Sequence, residues 1–479
     1  MSPAKAPARP RLLARAPSVE SLFIATFVLL GFRLGVRPIG DNSMLTHLRT
    51  GIDIARGAGI PRTDPYSFTA AGTRWVVQSW LPEWTYGLAH RLGGFRLVVL
   101  EQAVLTALVA WLLARLVRTG SPVRTALAGV VAFAMGAAFW APRPLLFGLL
   151  CMALTITIVE RRRSHWLLVP VVWLWVNSHG SFPLGLVYLG ARALGEWRDW
   201  RAWPSDAVRY IGGFAAGLLA GAINPLGPRL LAFPFTLGAK RDVFARIVEW
   251  RSPDFQATGP RVALVALTIA LVLLVRWRVA WRDTVPAVVF VTLGLVAARN
   301  LPLAAVVLAP IVARALRQPD LPVQAREQTP GQLRLNRLVM AAIAAAVATF
   351  ALSVFTRPGL DLDAYPEEAT TFAEDNGLLG RSHRVASLDF IGNYLQLRYG
   401  RSVKVFVDDR VDMYPRAVSD DYSSLLRGKR NALDVLARHD IDVVLWEQDL
   451  PLTSILAATG KWQQVFLDED GWVVFQRVG

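Results

Sequence analysis

The sequence predicts an α-helical polytopic membrane protein of about eleven spans that ends in a soluble α/β domain. Three observations carry that prediction. Of the 479 residues, 53% are apolar, with 17 Trp and a mean hydropathy of +0.37. Only 18% are charged, against roughly 25% in ordinary soluble proteins. The charge is also divided: residues 357–479 hold 14 basic and 20 acidic groups, whereas residues 1–356 hold 38 basic and 16 acidic. The basic excess therefore belongs to the apolar part, where arginines punctuate long apolar runs as they do in loops beside membrane spans. A nucleic-acid domain would gather Lys and Arg on a polar face with stacking aromatics, so no nucleic-acid partner is expected. The single cysteine, Cys151, excludes an intramolecular disulfide and a Cys-based zinc module.

Taken in order, residues 1–18 form a basic tail with Lys5, Arg9, Arg11 and Arg15, ahead of an apolar run at 20–36. Arg33 and Arg37 stand where a small-residue cleavage site would be, which reads as an uncleaved signal anchor with a cytoplasmic N-terminus. A membrane domain is expected over 19–356, with further runs near 95–117, 123–140, 145–160, 166–177, 181–195, 208–223, 260–277, 284–298, 301–316 and 338–355. Several fall short of the ~20 residues of a straight span, so broken or re-entrant helices are expected among them. Alternating sides from a cytoplasmic start puts Arg115, Arg118 and Arg124 inside, then Arg161 to Arg163, Arg198 and Arg201, Arg278 and Arg282, and finally Arg314, Arg317, Arg326 and Arg334. Every short inside loop is thus basic, as an inner (cytoplasmic) membrane protein requires. Outside lie two long loops, about 38–94 and 224–259, and short turns at Arg143, at Asn177–Gly180 and at Arg299. The odd span count places residues 357–479 outside the cytoplasm. There the pattern alternates: helix 366–376, strand 384–388, helix 390–398, strand 403–407, helix 432–438, strand 443–446, helix 452–458 and a final strand pair around Val465 and Val473.

Asp41, His47, Asp64, Glu83, Arg143, Asn177, His179, Glu249 and Arg299 all fall at outer span ends or in outer loops. Ionisable groups at membrane depth are costly unless paired or functional, so a one-sided collection argues for an outward polar cavity. In the first outer loop, apolar residues at 44, 45, 48, 52, 54 and 55 suit an amphipathic helix lying on the membrane surface. Structural uses compete at each position. Asp41 and Asp64 suit caps and Glu83 a helix-dipole partner; Arg143 and Arg299 suit snorkelling cations; His179 suits a hydrogen-bonded packing residue. The tail cluster Asp408, Asp409, Arg410 and Asp412 follows an expected strand, where acidic groups bind ions or sugars in some α/β domains, although turn formation and internal salt bridges explain it equally well; His383 and His439 read as surface residues without partners.

An Asp just after the first span, GIPRTDPYSFT, WLPEW, APRPLLF, WVNSHGSF, NPLGPRLLAFPF, IVEWRSPDF and the tail segment KVFVDDRVDMYP together resemble bacterial polytopic GT-C glycosyltransferases. The resemblance is to their protein mannosyltransferase-like and lipopolysaccharide sugar transferase-like branch, and it covers nearly the whole chain. It implies an inverting transferase that passes a sugar from a polyprenyl-phosphate donor, held with membrane lipid, to an envelope acceptor. It also implies an acidic residue of the first outer loop at the catalytic centre, here Asp41. The family often pairs two acids there, whereas this chain has Gly40-Asp41, so a second must come from Asp64 or Glu83.

Such a transfer needs a base for the acceptor hydroxyl and positive charge for the departing phosphate. Asp41 is the expected base, with Glu83 and with His47 or His179 assisting. Arg143 and Arg299 are expected to grip phosphate, and Asp64, Asn177 and Glu249 to hold sugar or acceptor groups. The carboxylates would also suit a divalent cation, although no ligand spacing demands one. Competing readings are a transporter of lipid-linked substrate, against which the lack of an internal repeat argues, and a non-catalytic membrane scaffold with a retained outward cavity.

Overall fold

Each of the eleven apolar runs folds as a helix, because backbone removed from water must satisfy its N–H and C=O groups within its own segment. The computed structural model describes residues 17–238, 247–317 and 328–478; Lys5, Arg9, Arg11, Arg15 and Arg326 lie outside them. In chain order the helices before the tail are α1 (Val19–Gly35), α2 (Asn42–Asp53), α3 (Trp80–Leu116), α4 (Pro122–Gly136), α5 (Leu145–Glu160), α6 (Leu168–Val176) and α7 (Pro183–Trp200). There follow α8 (Ser205–Gly221), α9 (Arg229–Gly238), α10 (Thr258–Arg276), α11 (Trp281–Val296), α12 (Leu301–Ala315) and α13 (Pro330–Thr356). Among the described residues, five helices are long and apolar enough to cross a membrane, fewer than the eleven spans expected: Trp80–Leu116, Pro122–Phe139, Thr258–Arg276, Ala298–Ala315 and Pro330–Thr356. The remaining six runs give helices of 9 to 18 residues.

Helix α12 is the axis of the bundle. Every residue in it except Arg314 is buried, as suits a helix apolar all round. Helix α3 is two arms. Gly93 and Gly94 leave helical geometry, Gly94 at φ 67°, where only glycine turns the chain freely. Residues 95–116 pack along α1, while residues 80–92 carry Glu83 across α2. That crossing is close: a Cβ on Gly51 would stand 1.9 Å from the backbone oxygen of Glu83. Gly51→Ala is therefore expected to push α2 from α3 and lower stability by about 1–3 kcal/mol. Thermal melting of the purified protein checks this, and unchanged melting would show that the crossing tolerates a methyl.

The tail holds a four-stranded mixed sheet in the order β1-β2-β4-β3, built from β1 (Val385–Ser387), β2 (Val443–Glu447), β3 (Trp462–Leu467) and β4 (Trp472–Arg477). β1 and β2 are parallel; β2–β4 and β4–β3 are antiparallel. Around it pack α14 (Glu367–Asp375), α15 (Asp389–Tyr399), α16 (Arg416–Leu426), α17 (Ala432–Arg438) and α18 (Pro451–Ala458). The strand expected at 403–407 is absent. Val405 instead makes isolated bridges to Val385 and to Ser67 of the first outer loop, donating its N–H to Tyr66 O at 3.1 Å and accepting from Phe68 N at 3.1 Å. It is an extended stitch between two parts of the chain, each contributing too few residues for a ladder.

Two further expectations are corrected. Helix α2 does not lie on a membrane surface: Met44, Leu45 and Leu48 are fully buried, and Thr46 on its polar side donates to Asn393 of α15 at 2.8 Å. The helix is sandwiched between α3 and the tail because its polar face carries hydrogen-bonding groups that α15 matches. Nor do charged residues collect on one side only. At the helix ends remote from Arg143, His179 and Arg299, Arg192 pairs with Glu160 (2.5 Å) and Glu196 (3.0 Å), and Arg314 with Glu160 (2.5 Å) and Asp283 (2.6 Å). Two guanidiniums and three carboxylates pair with one another there, which is how charge is tolerated at such depth. In the tail, His383 and His439 are not free surface residues; they pair with Asp442 at 2.5 Å and Asp421 at 2.9 Å.

Candidate functional site

The site is built where α2, the short turns at the ends of the bundle helices and the tail meet. Asp41 caps α2, accepting from Met44 N at 3.2 Å, as an N-cap aspartate does. Both of its carboxylate oxygens also accept from Nε of Arg143, at 2.7 and 2.9 Å. Arg143 sits in the turn before α5, where Pro144 opens the helix, and its Nη1 also donates to Glu249. Glu249 lies in a single helical turn, Val248–Trp250, whose Trp250 ring faces the Arg299 guanidinium 4.3 Å from the ring centre. One cation is thus held by two carboxylates and the other by an aromatic face.

Along α2, Ser43 and His47 are four residues apart and share a face. Nδ1 of His47 lies 2.7 Å from Oε1 of Glu83, while Oε2 of Glu83, in a side chain only 3% exposed, has no hydrogen-bond partner among the described residues. Burial opposes charge on His47, yet the Glu83 carboxylate, followed by Asp409, outweighs it and holds the imidazole above its ordinary 6.5. The raised imidazole therefore contributes stability below pH about 6.5, and that contribution fades as pH rises through the higher native value. Glu83→Gln is expected to move the His47 titration downward, read by histidine NMR; an unmoved midpoint would sink the assigned pairing. His179, in the turn between α6 and α7, is bonded to Ser181 Oγ at 2.8 Å. Burial, and then Arg299, push it down to about 3, so it is a neutral imidazole.

The tail supplies the rest. Asp408 and Asp409 are neighbours with opposite surroundings. Asp408 is locked by Arg410 through Nε at 2.9 Å and Nη2 at 2.6 Å, and by the Tyr414 hydroxyl at 2.8 Å. Despite burial, these partners hold it below the usual carboxylate value. Asp409 accepts from the Ser43 hydroxyl. Burial and then Asp408 push it up to about 6, against the pull of Ser43 and His47. Two adjacent carboxylates driven apart in this way are a recognised mark of divided roles.

A cavity of about 860 Å³ runs between these groups. From the membrane portion Ser43, His47, Glu83 and Arg143 line it, together with His179, Glu249 and Arg299; from the tail come Asp409, Tyr422 and Arg427. Asp41 is not in its wall but stands behind Arg143. Asp64 and Asn177 line no part of it. Asp64 accepts from the backbone N–H groups of Tyr66 and Ser67, both at 3.0 Å, and pairs with Arg410 at 2.8 Å. Asn177 accepts from Trp80 Nε1 at 3.0 Å and donates to Trp173 O at 2.8 Å. Sequence reasoning missed Ser43 and Asp409 as wall residues; the available signal was Ser43 one helical turn before His47. Among the described residues no three His, Cys, Asp or Glu side chains converge as metal ligands. Three of the cavity carboxylates are engaged through one oxygen each, Glu83 by His47, Glu249 by Arg143 and Asp409 by Ser43.

No family model matches the chain, and no curated protein matches it. Solved structures do. The archaeal oligosaccharyltransferase AglB from Archaeoglobus fulgidus, in complex with an inhibitory peptide and a dolichol-phosphate, superposes with a TM-score of 0.52 and 10% identity, over 89% of this chain and 69% of that one. Arabinofuranosyltransferase AftD from Mycobacteria gives 0.47 and 14% identity over 97% of this chain, which spans only 40% of AftD's length. ArnT from Cupriavidus metallidurans, bound to undecaprenyl phosphate, gives 0.48 and 13%, over 96% and 98%. At these identities the likeness is one of fold: a mostly helical architecture, with five helices long and apolar enough to cross a membrane among the described residues, followed by a C-terminal domain built on a mixed sheet.

Proposed function

We propose that the chain is an integral membrane glycosyltransferase that moves a hexosyl or pentosyl group from a polyprenyl-phosphate donor to an extracytoplasmic acceptor, a cell-envelope glycan, lipid or protein. Within the GT-C fold we place it in the protein mannosyltransferase-like or lipopolysaccharide sugar transferase-like branch, with the N-terminus cytoplasmic and residues 357–479 outside. The observation that carries this reading is the cavity itself: two membrane-side arginines and a carboxylate–imidazole–hydroxyl group share one space at the junction of apolar helices and polar domain. A polyprenyl tail would lie along the helices, with its phosphate between Arg143 and Arg299 and its sugar toward His47 and Asp409. Positive charge fixed in advance stabilises the departing phosphate. The dolichol-phosphate held by AglB gives this donor class support from the shared fold. Domain-level roles follow: membrane helices hold the donor and the tail faces the acceptor.

The test is turnover of purified full-length protein on a panel of radiolabelled polyprenyl-phosphate sugars with envelope extracts as acceptors. Transfer or release of sugar from one donor supports the reading. Neither binding nor turnover with any of them overturns the donor assignment and returns the transporter or scaffold reading.

A further inference from the structure

We propose that Asp409, carried to the cavity by the tail, is the catalytic residue that takes the acceptor's proton, and that Asp41 is a positioning residue acting through Arg143. The inference rests on the glycosyltransferase reading above.

Asp41 is ill placed for proton transfer. Its two oxygens are committed to Arg143 and to the cap of α2, it lies outside the cavity wall, and the residue before it is tied down by Tyr365, whose hydroxyl donates to Gly40 O at 3.2 Å. A carboxylate whose two oxygens are both held by a guanidinium orients its partner. Asp409 differs on each count. It is in the wall, its carboxylate accepts from the Ser43 hydroxyl, and its backbone N–H is bound separately by Asn393 Oδ1 at 3.2 Å. The group is therefore fixed in place by its backbone while a carboxylate oxygen stays available to an acceptor. The groups facing it are Ser43 and His47 of α2, Arg143 of the turn before α5, Tyr365 just before α14, and Asp408 beside it. Their balance leaves its carboxyl near 6, the range in which a general base works at neutral pH.

The step balances as follows. The acceptor O–H proton passes to the Asp409 carboxylate while the acceptor oxygen forms a bond to the sugar anomeric carbon. The bond from that carbon to the phosphate oxygen breaks, and its electron pair leaves with the polyprenyl phosphate, whose charge Arg143 and Arg299 meet. Attack opposite the leaving group inverts the anomeric centre. The catalytic centre is complete only when the tail is docked.

The test compares Asp409→Asn, Asp409→Glu and Asp41→Asn in the full-length protein, on the donor found active with wild type, reading kcat, donor KM, donor binding and the pH–rate profile. Asp409→Asn should lose about 10²–10⁴-fold in kcat with donor binding unchanged. Asp409→Glu should recover part of the rate and move the acidic limb, which in wild type falls away below pH about 6 as the base is protonated. Asp41→Asn should raise donor KM more than it lowers kcat. Donor binding by Asp409→Asn separates lost chemistry from lost folding; if that variant cannot bind, the Asp409→Glu pH profile decides. Wild-type turnover that survives in Asp409→Asn, or that vanishes in Asp41→Asn at unchanged donor binding, overturns this assignment alone. A wild type inactive on every donor overturns the functional reading and this inference with it.

Discussion

Arg410→Ala is expected to destabilise the protein by about 3–5 kcal/mol, the usual cost of removing one partner from a buried ion pair. Arg410 is only 6% exposed and joins two carboxylates that are themselves buried, Asp408 of its own loop and Asp64 of the first outer loop. Its guanidinium also stacks 4.5 Å from the centre of the Trp75 ring and 5.1 Å from that of Tyr66. Alanine would leave both carboxylates in a dry interior without their cation, so the tail loop and the outer loop would separate where they are stitched by Val405. The deficit has a pH signature. Arg410 holds Asp408 below its ordinary 3.8, so the stabilisation is full above that pH and is lost as pH falls through the lower native value. The gap between wild type and variant should therefore narrow in acid. Arg410→Lys should fall between them, because lysine keeps the charge but not the fork that grips two carboxylates. Thermal melting and protease sensitivity of the tail read this out; an Arg410→Ala protein that melts and resists protease as wild type does would mean the docking is held elsewhere.

That ion triad also shows where the sequence stops being readable. Apolar runs declare helices because burial of whole turns leaves a pattern several residues long, and all eleven are helical in the structure. His47, Glu83, Arg143, His179, Glu249 and Arg299, expected at outer span ends or in the outer loops as residues expensive at membrane depth, line one cavity in the structure. What the sequence could not separate is a polar residue that faces a cavity from one satisfied at home. Asp64 and Asn177 look as functional as Glu83, but backbone and indole donors within reach consume them. Asp408 and Asp409 look like one acidic turn, yet Arg410 and Tyr414 lock the first while the second meets Ser43, 366 positions earlier. The same holds for His439, whose partner Asp421 sits on α16, a helix opened by Pro415 that the sequence reading did not anticipate. For Asn177, Asp409 and His439 a deciding partner is remote in sequence and no local pattern encodes it, whereas Asp64 and Asp408 are engaged within three residues.

Arg143→Ala is expected to cost about 10²–10³-fold in turnover, the magnitude of losing one preorganised donor to a developing anion. Arg143 is the link between the two halves of the proposed chemistry. It holds Asp41 and Glu249 while its guanidinium remains in the cavity wall, and Arg299 stands across the same space on Trp250. Removing it would free Asp41 and Glu249 as two uncompensated carboxylates beside the place proposed for phosphate, so repulsion adds to the lost attraction. Arg143→Lys should recover less than a conserved charge suggests, since an ammonium cannot bridge both carboxylates in the plane of a guanidinium. Pairing the change with Asp41→Asn removes one of the freed charges and should return part of the donor affinity. If phosphate binding is the role of Arg143, the single variant raises donor KM as well as lowering kcat, and free polyprenyl phosphate loses potency as an inhibitor in parallel. A variant that binds polyprenyl phosphate like wild type but turns over slowly would leave Arg143 as scaffolding for α2 and shift the anion-binding role to Arg299 alone.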